Sequence, residues 1–449
     1  MEGGFDPALL ALPREVLVAS LRDHQSALTV EIGDALAPAF LTVMDRPDDP
    51  QGRVRAGNEW VVAARLDDAR FFWEKDRAQK LEELVPRLEQ LSFHEKLGHY
   101  SSKRHRMDAL VSGWSKPLQL SEEEKKLLSV AQRLLKVDLT TEMVREFTSL
   151  QGVMGGVYAR EEGQPEPVWQ ALYDQYLPAG TDDPLPRGRI GRIAALADRL
   201  DTLVGFFGLG LIPTGSKDPY GLRRAALAVV RLLLEGGLGL GLEQVSRMAW
   251  KGHIELRLTQ DDTWAKLRPF YEDRVRYLFE LRGLAHDEIE AGLGATGNPL
   301  EYLPSLERRV RALHDVRDQP QFLSMVLSYK RLTNILREVD AGTLPGEPDG
   351  SRLASPAEQS LLVAAGELGA ELAKATSAGE FAVALSAIER FAAPLEKFFV
   401  DVLVMDPDPE VRRQRLGLLA AIRRSISGVA DLSAMVVDKA ELRARASSV

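Results

Sequence analysis

The stretch from Gly191 to Leu233 constrains the fold most, because an acid-bearing amphipathic helix, a Gly/Pro turn and a basic helix follow one another there without a spacer. Ile193, Leu196, Ala197, Leu200, Leu203, Val204 and Phe207 recur at three- and four-residue spacing, so one face is apolar and packs inward, with Asp198 and Asp201 beside it. Pro213, Gly215 and Pro219 stop that helix, and Lys217, Arg223 and Arg224 place positive charge at the start of the next. From Arg187 to Arg231 there are eight Lys/Arg (187, 189, 192, 199, 217, 223, 224 and 231) against three Asp (198, 201 and 218). In a chain of formal net charge −9, this segregation points to a polyanion held at one place rather than to indiscriminate coating of nucleic acid. A solvated charged face accounts for the same composition equally well.

The segment ALADRLDTLVGFFGLGLIPTGSKDPYGLRRAAL (195–227) resembles the β subunit of the bacterial two-subunit glycyl-tRNA synthetase. So do LPREVLVASLRDHQ (12–25), GNEWVVAARLDDARFFWEKD (57–76), FHEKLGH (93–99), DLTTEMVREFTSLQGVMGG (138–156), SYKRLTNIL (328–336) and FFVDVLVMDPDPEVRRQRLGLLAAI (398–422), in the family's order. Family members carry a further N-terminal region before the LPREVL-like block, so the expectation is a truncated or naturally short β subunit.

At 449 residues the chain should hold about three domains on a prior of roughly 150 residues each. A hydrophobic content of 45% with 27% charged residues is that of an ordinary soluble protein. The absence of cysteine excludes disulfides, thiolate metal sites and cysteine nucleophiles. No apolar run approaches the roughly 20 residues of a membrane span, and MEGGFDPALL is not a signal peptide, so a cytoplasmic location without membrane contact is expected.

In chain order, a Pro-bounded helix occupies the first 25 residues, and SALTVEI and PAFLTVMD flank the turn GDALA as a β-hairpin. Residues 57–76 return to helical spacing, where Arg65, Asp67, Asp68 and Arg70 read as surface ion pairs. Leu81 to Trp114 reads as one or two helices broken near Pro86 and carrying His94, His99 and His105. Neither histidine pair has the i, i+4 spacing that aligns two imidazoles, so no metal site is expected. Ser121 with Glu124 forms a capping box. EGGLGLG (235–241) marks a boundary; it lacks the strand before it and the GKS/GKT ending of a nucleotide loop. Helices follow around LEQVSRMAW, WAKLRPFYEDRVRYLFELRGL, HDEIEAGL, LERRVRALHDV and QFLSMVLSYKRLTNILREV, and Lys330, Arg331 and Asn334 cluster on one turn of the last. AGTLPGEPDGSRLASP (341–356) has the content of a linker.

The succession of a His-bearing helix, Val137-Asp138-Leu139 and ADRLD (197–201) resembles the all-helical HD domain, whose His, His-Asp pair and later Asp bind a divalent metal. Asp138 and Asp198 stand at two of those positions, but Val137 occupies the place of the pair's imidazole. The expectation is a degenerate scaffold without a bound metal. Residues 357–449 resemble the helical anticodon-binding module of arginyl-tRNA synthetases and related enzymes, with PEVRRQRLGLLAAI as its signature. On a helical wheel, Val411, Leu418, Leu419, Ile422 and Ile426 fall within an arc of about 240° to 340°, and Arg415 falls inside it at about 300°. Arg415 is therefore expected to pair with a carboxylate, whereas Arg412, Arg413, Arg423 and Arg424 can reach RNA.

The reading is a mainly α, multi-domain chain: 1–80 a remnant of an N-terminal α/β region with a small β-hairpin, 81–235 HD-like, 236–350 a helical linker or body domain, and 351–449 anticodon-binding-like. The resemblance implies a tRNA-binding β subunit of a glycine–tRNA ligase that partners an α subunit and tRNA(Gly), with no DNA. ATP and Mg would be used by the α subunit, with no cofactor and no catalytic residue on this chain. RNA contacts are expected at Lys217, Arg223, Arg224, Lys330, Arg331, Asn334, Arg412, Arg413, Arg423 and Arg424. The alternatives are a free-standing RNA-binding or scaffold protein and a metal-dependent HD phosphohydrolase.

Overall fold

The computed structural model describes residues 1–45, 48–253, 255–339 and 348–437. Of the linker-like stretch 341–356, residues 341–347 lie outside the described residues, as do 438–449 of the C-terminal region. The chain is mainly helical and forms two compact units, one of residues 1–232, 236–240 and 245–267, the other of 233–235, 241–244 and 268 onward.

In the first unit, β1 (Glu2–Gly4), β2 (Leu28–Ile32) and β3 (Ala35–Leu41) form an antiparallel sheet with β3 in the middle. The expected hairpin is β2–β3; β1 is an addition to it. Glycines weaken the strand signal of β1, yet one of them is required. A Cβ on Gly3 would stand 2.4 Å from Cζ of the Phe40 ring, which is fully buried beneath it.

The helices α1 (Arg14–Gln25) and α2 (Arg53–Arg77) follow. The segment 81–114 departs from the helical expectation. A single helical turn, Leu81–Leu84, tightens into a 3-10 turn carrying Pro86, which has no N–H to continue an α-helix. A two-stranded hairpin, β4 (Ser92–His94) and β5 (Gly98–His99), comes next, and only then α3 (Tyr100–Trp114). His94 and His99 therefore belong to a hairpin, while His105 lies exposed on α3.

The capping box of Ser121 and Glu124 opens α4 (Glu122–Leu134) as its residues require. Beyond it, α5 (Val153–Glu161) packs against α6 (Glu166–Tyr173) so closely that a Cβ on Gly156 would come within 2.4 Å of Cβ of Tyr173.

Helix α7 (Gly188–Gly208) is the centre of this unit. Ile193, Leu196, Ala197, Leu200, Leu203, Val204 and Phe207 are all 0% exposed. Each large apolar side chain so enclosed contributes roughly 1.5–3 kcal/mol relative to leaving it in water. Burial extends beyond the apolar face: Asp198 and Asp201 are interior residues rather than residues at its border. Helix α8 (Leu222–Glu235) follows the Gly/Pro turn, and α9 (Leu242–Trp250) and α10 (Gln260–Leu281) come after the EGGLGLG boundary, with residues 268–281 of α10 belonging to the second unit.

The second unit contains α11 (His286–Leu293), α12 (Leu303–Val316), α13 (Pro320–Arg337), α14 (Pro356–Ala378), α15 (Phe381–Arg390), α16 (Ala392–Asp401) and α17 (Pro409–Ser427). Its core joins Phe322, Met325 and Tyr329 of α13 to Leu361, Leu385, Phe398, Leu419 and Ile422 from the later helices. Asp287 and Glu288 lie in the first turn of α11, where carboxylates favour the positive end of the helix dipole.

Candidate functional site

Burying two carboxylates on one turn of α7 obliges the fold to supply cations, since an unpaired buried charge is prohibitively costly. They come from α3, from the turn after α4 and from α7 itself. Lys103 of α3 places Nζ 3.0 Å from Oδ1 of Asp198 and 3.1 Å from Oδ2 of Asp201. Arg106, one turn further along α3, donates to Asp201 Oδ1 at 2.6 Å and Oδ2 at 3.1 Å. Lys136, in the turn after α4, donates to Asp198 Oδ2 at 2.9 Å, and Arg199 reaches the same oxygen at 2.8 Å. Burial pushes the Asp198 carboxyl up, but Lys103, Lys136 and Arg199 outweigh it and hold the group well below the usual carboxylate range. Burial brings Lys136 down to about 8, although Asp198 partly opposes it.

The fold also brings Asp138 into this neighbourhood. Asp138 is fully buried and accepts the Gly152 N–H at 2.5 Å, fixing a turn in which Gly152 has φ +80°. Burial raises its carboxyl, opposed by that N–H and by Lys136. Tyr100, pushed up to about 12 first by burial, also feels Asp198 and Asp138. The two positions of the HD resemblance are thus assembled together, with ammonium groups against Asp198. Among the described residues, no group of three His, Asp or Glu side chains could hold a metal ion.

Asp198, Lys103, Lys136, Arg199 and Tyr100 open onto a cleft of about 370 Å³. Lys103, Lys136, Arg199 and Arg224 give it cationic walls, and Tyr100, Tyr176, Tyr220 and Phe93 give it aromatic ones. Lys136 Nζ lies 3.8 Å from the centre of the Tyr176 ring. Lys103, Arg106 and Lys136 escape sequence reasoning because SSKRHR and RLLKVD look like solvated basic surface. A three-residue spacing of cations at 103 and 106, matching the carboxylates at 198 and 201, is the one available signal.

The basic window from Arg187 to Arg231 reads differently in three dimensions. Arg187 clasps Asp174 with two bonds of 2.8 Å, Arg189 holds Glu124, and Arg192 donates to the carbonyls of Pro186 and Gly236. Arg199 pairs with Asp198, and Arg231 donates to the carbonyls of Gly180 and Asp183. Arg223 folds back on its own loop, onto the carbonyls of Gly215 and Lys217, while Asp218 caps the start of α8 through the Leu222 and Arg223 N–H groups. These six arginines are engaged internally because a helix so deeply enclosed leaves carbonyls and acids that need donors. Lys217 and Arg224 are exposed, and Arg224 lines the cleft.

In the second unit, the cations of α13 and α17 take distinct positions. Lys330 donates to the Met435 carbonyl at 2.5 Å, Arg331 is exposed and stacks over Phe399 at 4.4 Å, and Asn334 is exposed. Arg415 is 13% exposed at its side chain and donates to Glu358 Oε1 at 2.5 Å and to Asp406 Oδ2 at 2.6 Å, the carboxylate pairing that its place on the wheel requires. Arg412 is half-buried and donates to the Asp406 carbonyl at 3.2 Å. Arg413, Arg423 and Arg424 are exposed, Arg413 standing 3.8 Å from Glu410. The exposed arginines therefore project from a helix whose opposite side is locked into the core.

A sequence model of the family described as glycyl-tRNA synthetase beta subunit matches residues 1–294. The chain belongs to that family. A model described as the DALR anticodon binding domain matches residues 325–432, which include most of α13 and all of α17. The chain is 38% identical to the glycine–tRNA ligase beta subunit of Acidobacterium capsulatum, over 97% of this chain and 62% of that protein. It is 36% identical to the protein of the same description from Oleidesulfovibrio alaskensis, over 96% of this chain and 62% of that one. The corresponding protein of Moorella thermoacetica is 37% identical, over 97% and 63%. This family member thus spans somewhat under two thirds of the length of the curated relatives it matches.

Proposed function

We propose that this chain acts as the tRNA-binding β subunit of a glycine–tRNA ligase, supporting ATP-dependent attachment of glycine to tRNA(Gly) by a separate catalytic α subunit. The observation that carries the reading is the order of the two family matches on one chain, a β-subunit body over 1–294 followed by an anticodon-binding module over 325–432. The exposed Arg413, Arg423 and Arg424 of α17 supply the phosphate-seeking cations such a module needs, with Arg331 on α13 beside them in composition and chemistry. ATP and Mg belong to the α subunit in this reading, and the arrangement of Asp198 between ammonium groups favours it over a metal-dependent phosphohydrolase.

The test is reconstitution. Glycine attachment to tRNA(Gly) by the α subunit alone is compared with attachment after adding this chain, alongside titrations with tRNA(Gly) and a non-cognate tRNA. The proposal expects aminoacylation only in the mixture and tighter binding of tRNA(Gly). An unchanged rate together with equal affinity for the two tRNAs would overturn it.

A further inference from the structure

The cleft of the first unit holds more positive charge than the protein neutralises. Four cations, Lys103, Lys136, Arg199 and Arg224, line it against one lining carboxylate, Asp198; the first three pair with Asp198, Lys103 also pairs with Asp201 behind the wall, and the buried Asp138 adds at most a third negative charge. Lys103 is fully employed, donating to the Asp198 carbonyl, to Asp201 and to Thr202. Lys136 is not. Only 2% exposed, its ammonium makes one hydrogen bond among the described residues, to Asp198, and faces the Tyr176 ring, which leaves one of its three donors open. Its backbone also sits in the left-handed region, at φ +69°, which is uncommon for a side-chain-bearing residue. Strain of this kind is retained where the position serves a site.

The open donors and the aromatic wall point the same way. Arg224 lines the same cleft and makes no ion pair or hydrogen bond with a described residue. Tyr220 stacks on Phe206 with ring centres 4.1 Å apart, yet keeps 43% of its surface exposed at the cleft. Cations with unused donors beside an exposed ring are the two halves of nucleotide recognition, charge-assisted bonds to phosphate and a stacking platform for a base. The volume of about 370 Å³ lies at the small end of the range for ligand pockets, roughly 300–1,000 Å³.

We propose that this cleft binds one phosphorylated nucleotide unit, its phosphate against Lys136 and Arg224 and its base against Tyr220. The unit is either a free nucleoside monophosphate or a nucleotide splayed out of an RNA strand, and the inference stands independently of the proposed function. The low pKa of Lys136 fits a site whose anion is supplied from outside, because a bound phosphate would restore the missing counter-charge.

Calorimetric titrations of the whole chain with the four nucleoside 5′-monophosphates, the matching nucleosides and inorganic phosphate test it, with tRNA titrations in parallel. Arg224→Ala and Tyr220→Ala are the variants, both at exposed positions, and Lys126→Ala on the surface of α4 controls for bulk charge. If the ligand is free, a monophosphate binds one to one, the nucleoside binds about tenfold or more weakly, and Arg224→Ala weakens the monophosphate about tenfold. If the unit belongs to RNA, monophosphates bind too weakly to measure while Arg224→Ala and Tyr220→Ala each weaken tRNA several-fold and Lys126→Ala does not. No monophosphate binding, with tRNA affinity untouched by either variant, overturns the inference and leaves the proposed function standing. Monophosphate binding without tRNA binding does the reverse.

Discussion

Lys136 Nζ stands 2.9 Å from Asp198 Oδ2, which places an ammonium group where the HD resemblance would require a divalent cation. Lys103 holds the other oxygen at 3.0 Å, so a metal would have to displace both lysines and overcome their repulsion. Elemental analysis of the purified chain after incubation with Mn²⁺ or Zn²⁺ should find no stoichiometric metal, and chelator should leave the melting temperature unchanged. One retained equivalent that disappears in Asp198→Ala would contradict this.

Asp201 is the acid on which the other half of the cluster depends. It accepts two bonds from Arg106 and one from Lys103, all in the interior. Asp201→Ala leaves two buried cations without that partner and should cost about 3–5 kcal/mol of the first unit's stability. Urea melts read this directly, and a loss below about 1 kcal/mol would mean that water reaches Arg106 and Lys103 once the carboxylate is gone.

The helices were legible because their signals are local. The box of Ser121 and Glu124, the boundaries of LEQVSRMAW and HDEIEAGL, and the apolar periodicity of α7 all depend on residues within a few positions of one another. The cleft was not, because its chemistry joins residues 103, 136, 198 and 224, and burial of a lysine leaves no trace in its neighbours' spacing. The positive window misled for the complementary reason: a basic run shows charge but not acceptors, and Arg192, Arg223 and Arg231 satisfy backbone carbonyls that no sequence pattern marks. Asp138 and Asp198 could be named from the family resemblance, but the ammonium groups that define what they do could not. On α17 the wheel sufficed to place Arg415, since a single arginine inside an apolar arc has to find a carboxylate.

His253 gives the first unit an acid sensitivity above that of its carboxylates. Burial brings its pKa down to about 4, although Asp201, with Oδ1 3.4 Å from Nε2, acts in the opposite direction. An exposed histidine in the unfolded chain has a pKa of about 6.5. Between these values the unfolded state binds more protons than the folded one, so stability present above pH 6.5 is lost as pH falls toward about 4. Urea melts over that range should show the decline, and His253→Gln should flatten it. The same slope in the variant would assign the effect to another group.

The arginines of α17 should separate into two classes by what fails when each is removed. Arg413 and Arg423 are exposed, and the nearest carboxylate to Arg413 is Glu410 at 3.8 Å, an interaction worth little in solvent. The double change to Ala should therefore leave the melt of the second unit nearly intact, weaken tRNA binding, and reduce the salt dependence of that binding by roughly 1–2 in slope, as loss of one or two phosphate contacts requires. Arg415 should behave oppositely. It ties Glu358, which caps α14 together with Ser355, to Asp406 before α17, so its removal strands a buried carboxylate and loosens the start of two helices at once. Arg415→Ala should cost about 3–5 kcal/mol before any RNA is added. Melts paired with tRNA titrations on the same proteins distinguish the classes, and an Arg415→Ala chain of ordinary stability that fails to hold tRNA would move this residue from the core to the binding surface.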